Sequence, residues 1–230
     1  MRSRLLLPLL AALALLAGCA AKPQLPVPLE PFAGNTRHKI GVALAKVPKA
    51  SLELPGASCL LCIAAAQVAN AQLARHVDTL DTGELKPVRD SIAAALRKKG
   101  VDAIVVSEAI EVDKLGESTG TAPQAARRNF MPLKAKYGID KLVIVNVEGL
   151  GILRNYSAYI PNGDPRVFVR MSGAMVDLST NTYQWYLPVY ILQGAEGGRW
   201  DEPPRYPGLT NAFYQALEQS KDRLLQPWSE

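Results

Sequence analysis

The chain has 230 residues, 48% of them hydrophobic and 20% charged, a composition that builds a packed core and excludes a wholly disordered protein. Lys and Arg number 26 against 21 Asp and Glu; without Arg2 and Arg4, which lie in a segment read below as removed, the balance is 24 to 21, too slight to point to nucleic acid. Two His and three Cys leave few ways to build a metal site.

Arg2 and Arg4 precede a thirteen-residue apolar stretch, Leu5 to Ala17, broken only mildly by Pro8. That length suits the hydrophobic region of a secretory leader and falls short of the ~20 residues a helix needs to cross a bilayer. The stretch ends Leu16-Ala17-Gly18-Cys19, with small residues before a cleavage point. Charge, apolar run and this tetrad, in that order, resemble the lipobox of bacterial lipoproteins. The resemblance implies cleavage before Cys19, a diacylglycerol thioether on its sulfur and acylation of the new amino group. It divides the chain into a leader (1–18), a lipidated Cys19 opening a Pro-rich tether (19–38) and one α/β domain (39–230). Two or three acyl chains anchor a protein stably where one does not. Inner-membrane lipoproteins often carry Asp after the Cys; here Ala20 follows, so the resemblance implies the outer membrane, with the domain facing the periplasm.

Pro23, Pro26, Pro28 and Pro31 exclude helix and interior strand from the tether. As polyproline II, at ~3.1 Å per residue, it would hold the domain roughly 50–60 Å from the bilayer. The alternative is a tail packed on the domain through Leu25, Val27, Leu29 and Phe32.

In the domain, Lys39 to Val47 is apolar at both parities, the mark of a strand covered on both faces. Cys62 to His76 is Ala-rich and reads as helix. Leu85, Val88, Ile92 and Leu96 recur at helical spacing, with Gly100 as the stop. Val101 to Val106 is a second buried strand. A helix through Ala125 to Phe130, capped by Ser118 or Thr121, is kinked or restarted at Pro132 and ended by Gly138. Lys141 to Val147 is a third buried strand, which Gly149 to Ile160 extends before the chain turns at Pro161-Asn162-Gly163-Asp164. Arg166 to Leu178 and Thr182 to Leu192 are long β runs whose three-residue connection demands an antiparallel pair. Leu209 to Leu225 is an amphipathic helix with Phe213, Leu217 and Leu224 on one side. The expected fold is α/β (α+β): a single mixed sheet of about five strands, an antiparallel carboxy-terminal hairpin, and helices packed on the sheet.

This element order, the phrase Tyr137-Gly138-Ile139-Asp140-Lys141-Leu142-Val143 and a final helix after a loop carrying Trp200 are similar to the small α/β domain of envelope-assembly lipoproteins. These are the amino-terminal domain of the Tol-system propeller protein, the curli secretion lipoprotein and the lipoprotein activators of penicillin-binding proteins. The resemblance implies a binding or assembly role and brings no catalytic motif.

Few residues invite chemistry. Cys59-Leu60-Leu61-Cys62 opens a helix, as redox C-x-x-C motifs do. Its apolar surroundings, the missing preceding aromatic and the lack of a strand directly before it favour a structural disulfide in an oxidising periplasm. Zinc would need Cys59, Cys62, His38 and His76 together, at a spacing that fits no common finger. His76, beside Arg75 and Asp78, is an acid–base candidate or a capping residue. Arg199, Trp200, Arg205 and Tyr206 carry the residue types of binding hot spots, and Trp200 can equally plug the space between sheet and last helix. Tyr156, Tyr159, Tyr183, Trp185, Tyr186 and Tyr190 suit strands, and an aromatic outer face would suit a partner or self-association edge. No G-x-S-x-G, H-E-x-x-H or G-x-x-x-x-G-K occurs.

The expected function is a non-enzymatic lipoprotein without cofactor, metal or catalytic residue, binding or assembling an unknown envelope protein. A thiol–disulfide protein using Cys59 and Cys62, and an oligomeric subunit of an envelope complex, are the alternatives. Cys19→Ala should abolish incorporation of labelled palmitate and leave precursor or soluble protein. Unchanged labelling would end the lipoprotein reading.

Overall fold

A computed structural model describes residues 23–30, 38–197 and 199–229; the leader, Cys19 and Phe32 lie outside them. β1 (Ile40–Leu44) is buried at every position, as its unbroken apolar run requires. It lies parallel to β3 (Ala103–Val105) on one side and to β4 (Lys141–Leu153) on the other. β4 continues antiparallel into β7 (Arg166–Asp177), and β7 into β8 (Thr182–Gly194), giving the order β3-β1-β4-β7-β8. This is the mixed sheet with a carboxy-terminal hairpin that the sequence patterns require.

A further strand, β2 (Ser51–Glu53), is not legible in the pattern, because three residues are too few for alternation to show. It pairs with the far end of β4, from Ser51 opposite Gly151 to Glu53 opposite Leu153. One edge of β4 therefore carries β1 along its first half and β2 along its last turn of pleat. Gly151 has φ 144°, and a Cβ there would fall on the backbone of Ser51, so only glycine lets β2 close. Gly149 keeps the same trough open. Across it Arg170 of β7 reaches Glu53 of β2, with Nη1 donating to Oε2 at 3.1 Å.

The helices divide unequally between the faces. α3 (Pro87–Lys98) and α5 (Pro207–Ser229) cover one face, with Val88, Ile92 and Leu96 meeting Phe213, Leu217 and Leu224 over Val143, Val145 and Val169. Trp185 meets Trp228 edge-on there, ring centroids 4.9 Å apart. The other face is covered along its lower half by α4 (Pro132–Tyr137) and irregular chain, through Ile110, Ala126, Phe130, Leu133 and Ile139. Gly138, φ 60°, ends α4 as expected.

Three expectations fail, one of them being the extension of the third strand to Ile160, since β4 stops at Leu153 and the chain folds into a separate hairpin. The Ala-rich helix is two helices, α1 (Leu60–Ala69) and α2 (Ala71–Val77), broken at buried Asn70. The Ala125 to Phe130 helix is absent, because its backbone groups bond elsewhere. Ala126 N–H donates to Asn181 at 2.9 Å, Ser118 N–H to Arg127 at 2.9 Å, and Tyr183 N–H to Gln124 at 2.7 Å. Asn181, left-handed at φ 54°, is the stitch in the β7–β8 turn. Its Oδ1 accepts from Phe130 N–H at 2.9 Å, and its Nδ2 donates to the Arg128 carbonyl at 3.0 Å and to Ser118 Oγ at 3.1 Å. After β4 the chain makes a small hairpin, β5 (Tyr156–Ser157) and β6 (Ile160–Pro161), before turning into β7.

The amino-terminal segment lies on the domain. Val27 and Tyr186 exchange two backbone hydrogen bonds of 2.9 Å along the outer edge of β8. Val27 and Leu29 pack against the two core layers, while Leu25 is exposed.

Asn181→Ala should lower stability by about 2–3 kcal/mol, from stranded buried groups plus the left-handed backbone that asparagine tolerates best. Chemical denaturation checks this. A loss below ~0.5 kcal/mol would show that the 115–130 segment does not hang on Asn181.

Candidate functional site

The last residues of β2, β4 and β8 and the first of β7 meet at one end of the sheet, since Leu153, Arg166 and Gly194 are neighbours in register. α1, the β5–β6 hairpin and the 195–206 loop are all emitted there. Asn70 ties them together. Its Nδ2 donates to the Ala66 carbonyl at 2.7 Å and to Tyr156 Oη at 2.6 Å, and its Oδ1 accepts from Arg154 Nη1 at 3.0 Å. A break between helices thus becomes the joint between α1, β5 and the end of β4.

From Arg154 a column of stacked groups runs to α2. The Arg154 guanidinium lies 4.7 Å above the Trp200 ring, Trp200 lies parallel to Tyr206 at 6.1 Å, and Tyr206 meets the His76 ring at 5.1 Å. His76 Nε2 is 3.0 Å from Thr210 Oγ1. The loop reaches this arrangement through two successive left-handed residues, Arg205 at φ 61° and Tyr206 at φ 52°. For bulky side chains such backbone costs of order 1–3 kcal/mol each and persists only where the surroundings impose it. α5 imposes it. Thr210 N–H donates to the Tyr206 carbonyl at 2.9 Å, and Thr210 Oγ1 to the Arg205 carbonyl at 3.1 Å.

Between this loop and the α1–α2 joint lies a crevice of about 620 Å³ lined by Asn70, Gln72, Trp200, Glu202, Arg205 and Tyr206. Of the residues expected from sequence, Trp200, Arg205 and Tyr206 face it. Arg199 instead holds Asp201, Nη2 to Oδ2 2.9 Å, and that bond keeps the Asp201 carboxyl below the usual range. Trp200 also packs on the core, so it plugs and lines at once. His76 is held below the usual imidazole range by burial first and by the Arg205 charge second. It is therefore neutral near pH 7 and serves as the foot of the column. Sequence reasoning missed Asn70, Gln72 and Arg154; nothing local marks them, because their roles come from the joint.

Cys59 and Cys62 are disulfide-bonded at the start of α1, where Cys62 N–H donates to Cys59 Sγ at 3.0 Å. His38 stands beside Asp140 at the opposite end of the sheet, Nδ1 to Oδ2 3.8 Å, so the Cys and His residues are not gathered. Among the described residues no group of His, Cys, Asp or Glu could hold a metal ion. α1 itself is the second feature of this end. Only Cys62 and Ala66 of its ten residues are buried, in a small satellite cluster with Ala57 and Tyr156.

No family model matches the chain, and no curated protein is significantly similar to it. Among solved structures it is similar to the PelC dodecamer from Paraburkholderia phytofirmans, at 11% identity over 90% of this chain and 92% of that one, TM-score 0.33. It is similar to lipoprotein GNA1162 from Neisseria meningitidis, at 13% identity over 79% and 96%, TM-score 0.33. It is also similar to protein XCC0632 from Xanthomonas campestris, of the DUF330 family, at 11% identity over 90% and 91%, TM-score 0.35. At these scores the likenesses decide nothing about the site.

His76 makes stability depend on pH. Its folded pKa lies below the unfolded value of 6.5, so the unfolded chain binds the proton more readily. The stabilisation is complete above pH 6.5 and is lost as pH falls through the folded pKa. The urea midpoint should drop between pH 7.5 and 5, and His76→Gln should flatten part of that slope. An unchanged slope would show that the column does not sense the imidazole charge.

Proposed function

We propose that the protein is a lipoprotein anchored in the outer membrane through Cys19, whose periplasmic domain binds an envelope protein at the crevice and performs no turnover. The observation that carries the binding reading is the stacked column, built on strained backbone that only a surrounding network maintains. Trp, Tyr and Arg are the side chains that dominate binding energies, and a surface ordered in advance spares the entropy of ordering it on contact. The polar groups nearby are engaged with one another: Arg154 with Asn70, Arg199 with Asp201, His76 with Thr210. That arrangement suits a preformed docking surface better than a poised acid and base. The disulfide caps a helix and sits among apolar neighbours, which suits a staple.

A photo-crosslinking amino acid placed at Glu202 in whole cells should give one discrete adduct with an envelope protein. Adding Trp200→Ala and Arg205→Ala should cut that adduct at least tenfold, with the melting temperature within a few degrees of the parent. An adduct that survives both changes would remove the crevice from the binding surface.

A further inference from the structure

We propose that α1 and the β5–β6 turn form a bilayer-insertion surface, which seats the apolar side of α1 in the interfacial layer of a membrane. The orientation rests on the lipoprotein reading; the insertion itself does not need the lipid.

The exposed side of α1 is apolar apart from Gln67 at its margin, beside half-exposed Ile63. Leu60 is 88% exposed, Leu61 72% and Val68 79%, with Ala64 and Ala65 between them. At 3.6 residues per turn these five cover an arc of about 140°, opposite buried Cys62 and Ala66. The hairpin turn extends the patch with Tyr159 and Ile160, and Tyr159 Oη touches Cys59 Sγ at 3.7 Å, so the surfaces are continuous. A helix apolar all round is ordinarily buried, and a contiguous exposed patch of this kind marks contact with protein or membrane.

Charge and chain length favour the membrane. No Asp, Glu, Lys or Arg occurs from Leu54 to Ala74. A protein interface takes its specificity from a polar, charged rim, whereas the acyl boundary needs none and penalises charge. Ten helical residues make a rod of about 15 Å, too short to span and suited to lie in the plane of the interface. The Cys62 N–H at the helix start is already satisfied by Cys59 Sγ, which lowers the cost of leaving water. The leash also fits. Cys19 to Val27 is eight steps, at most about 27 Å of chain. Tyr186, where Val27 is held, lies eight residues from the end of β8 at Gly194, roughly 26 Å along the strand. A lipid on Cys19 can therefore enter the same bilayer that the α1 end of the sheet meets.

The test uses the unlipidated chain from residue 19 with Cys19→Ser, floated with vesicles of phosphatidylethanolamine and phosphatidylglycerol. The protein should rise with the vesicles. Leu61→Asp with Val68→Asp should reduce the floated fraction at least tenfold, with the melting temperature unchanged because both side chains already face solvent. Parent protein that stays at the bottom, or a variant that floats as well as the parent, overturns the proposal. So does a parent that sediments as a dimer which the two Asp residues dissociate, since that assigns the face to a second copy. Palmitate labelling of Cys19 reads the anchor separately, so failure of one reading is not mistaken for failure of the other.

Discussion

The architecture depends on the length of β4. Its thirteen residues outrun the five of β1, so the last part of β4 projects past the parallel half of the sheet. β7 runs the full length beside it, apart from the bulge between Val147 and Gly149 where Glu148 is exposed, and β8 is paired to the far side of β7. The overhang needs an edge partner, and β2 supplies it through a contact that Gly151 alone permits. Once β2 is there, the chain leaving it must start α1 at the same end. The hairpin after Leu153 and the loop after Gly194 are delivered to that end by the same ladder. The clustering of crevice and apolar helix is thus a consequence of one strand being longer than its neighbour.

β1, β3, β4, β7 and β8 were readable because buried strands and an antiparallel pair leave runs of Val, Ile and Tyr that compete with nothing else, whereas β2, β5 and β6 are too short to leave a pattern. α3 and α5 were readable because Ile92 with Leu96, and Phe213 with Leu217, recur at helical spacing. The 115–131 segment misled because Ala125 and Ala126 favour helix locally, while Asn181, more than fifty residues away, takes the hydrogen bonds a helix would have used. Asn70 misled in the opposite sense. It sits in an Ala-rich run, and only Tyr156 and Arg154, brought in by the far end of β4, make a break there favourable. In the candidate site, Trp200, Arg205 and Tyr206 could be found by residue type. Arg154, Asn70 and Gln72 could not, since each acquires its place through contacts distant in sequence. The uncharged stretch from Leu54 to Ala74 was visible throughout, but its meaning depended on which side of α1 faced the core.

The crevice and α1 are built on opposite principles. The crevice is tied by many contacts: a cation over Trp200, Trp200 parallel to Tyr206 and a tilted imidazole beside Tyr206, with strained backbone clamped by Thr210. α1 rests on a satellite cluster of Ala57, Cys62, Ala66 and Tyr156 and is tied down by a disulfide at its start and Asn70 at its end. Its polar and covalent ties lie at its two termini, and between them only Cys62 and Ala66 pack inward.

The Val27–Tyr186 bridge has a mechanical meaning. A pull arriving along the chain from the amino-terminal side meets these two backbone hydrogen bonds, and the packing of Val27 and Leu29, before it reaches β1. The bonds lie at the sheet edge, so they can open without breaking any pairing between the central strands. The segment therefore occupies an edge to which foreign strands would otherwise add, and releasing it would lengthen the chain ahead of β1 while every ladder of the sheet stays paired.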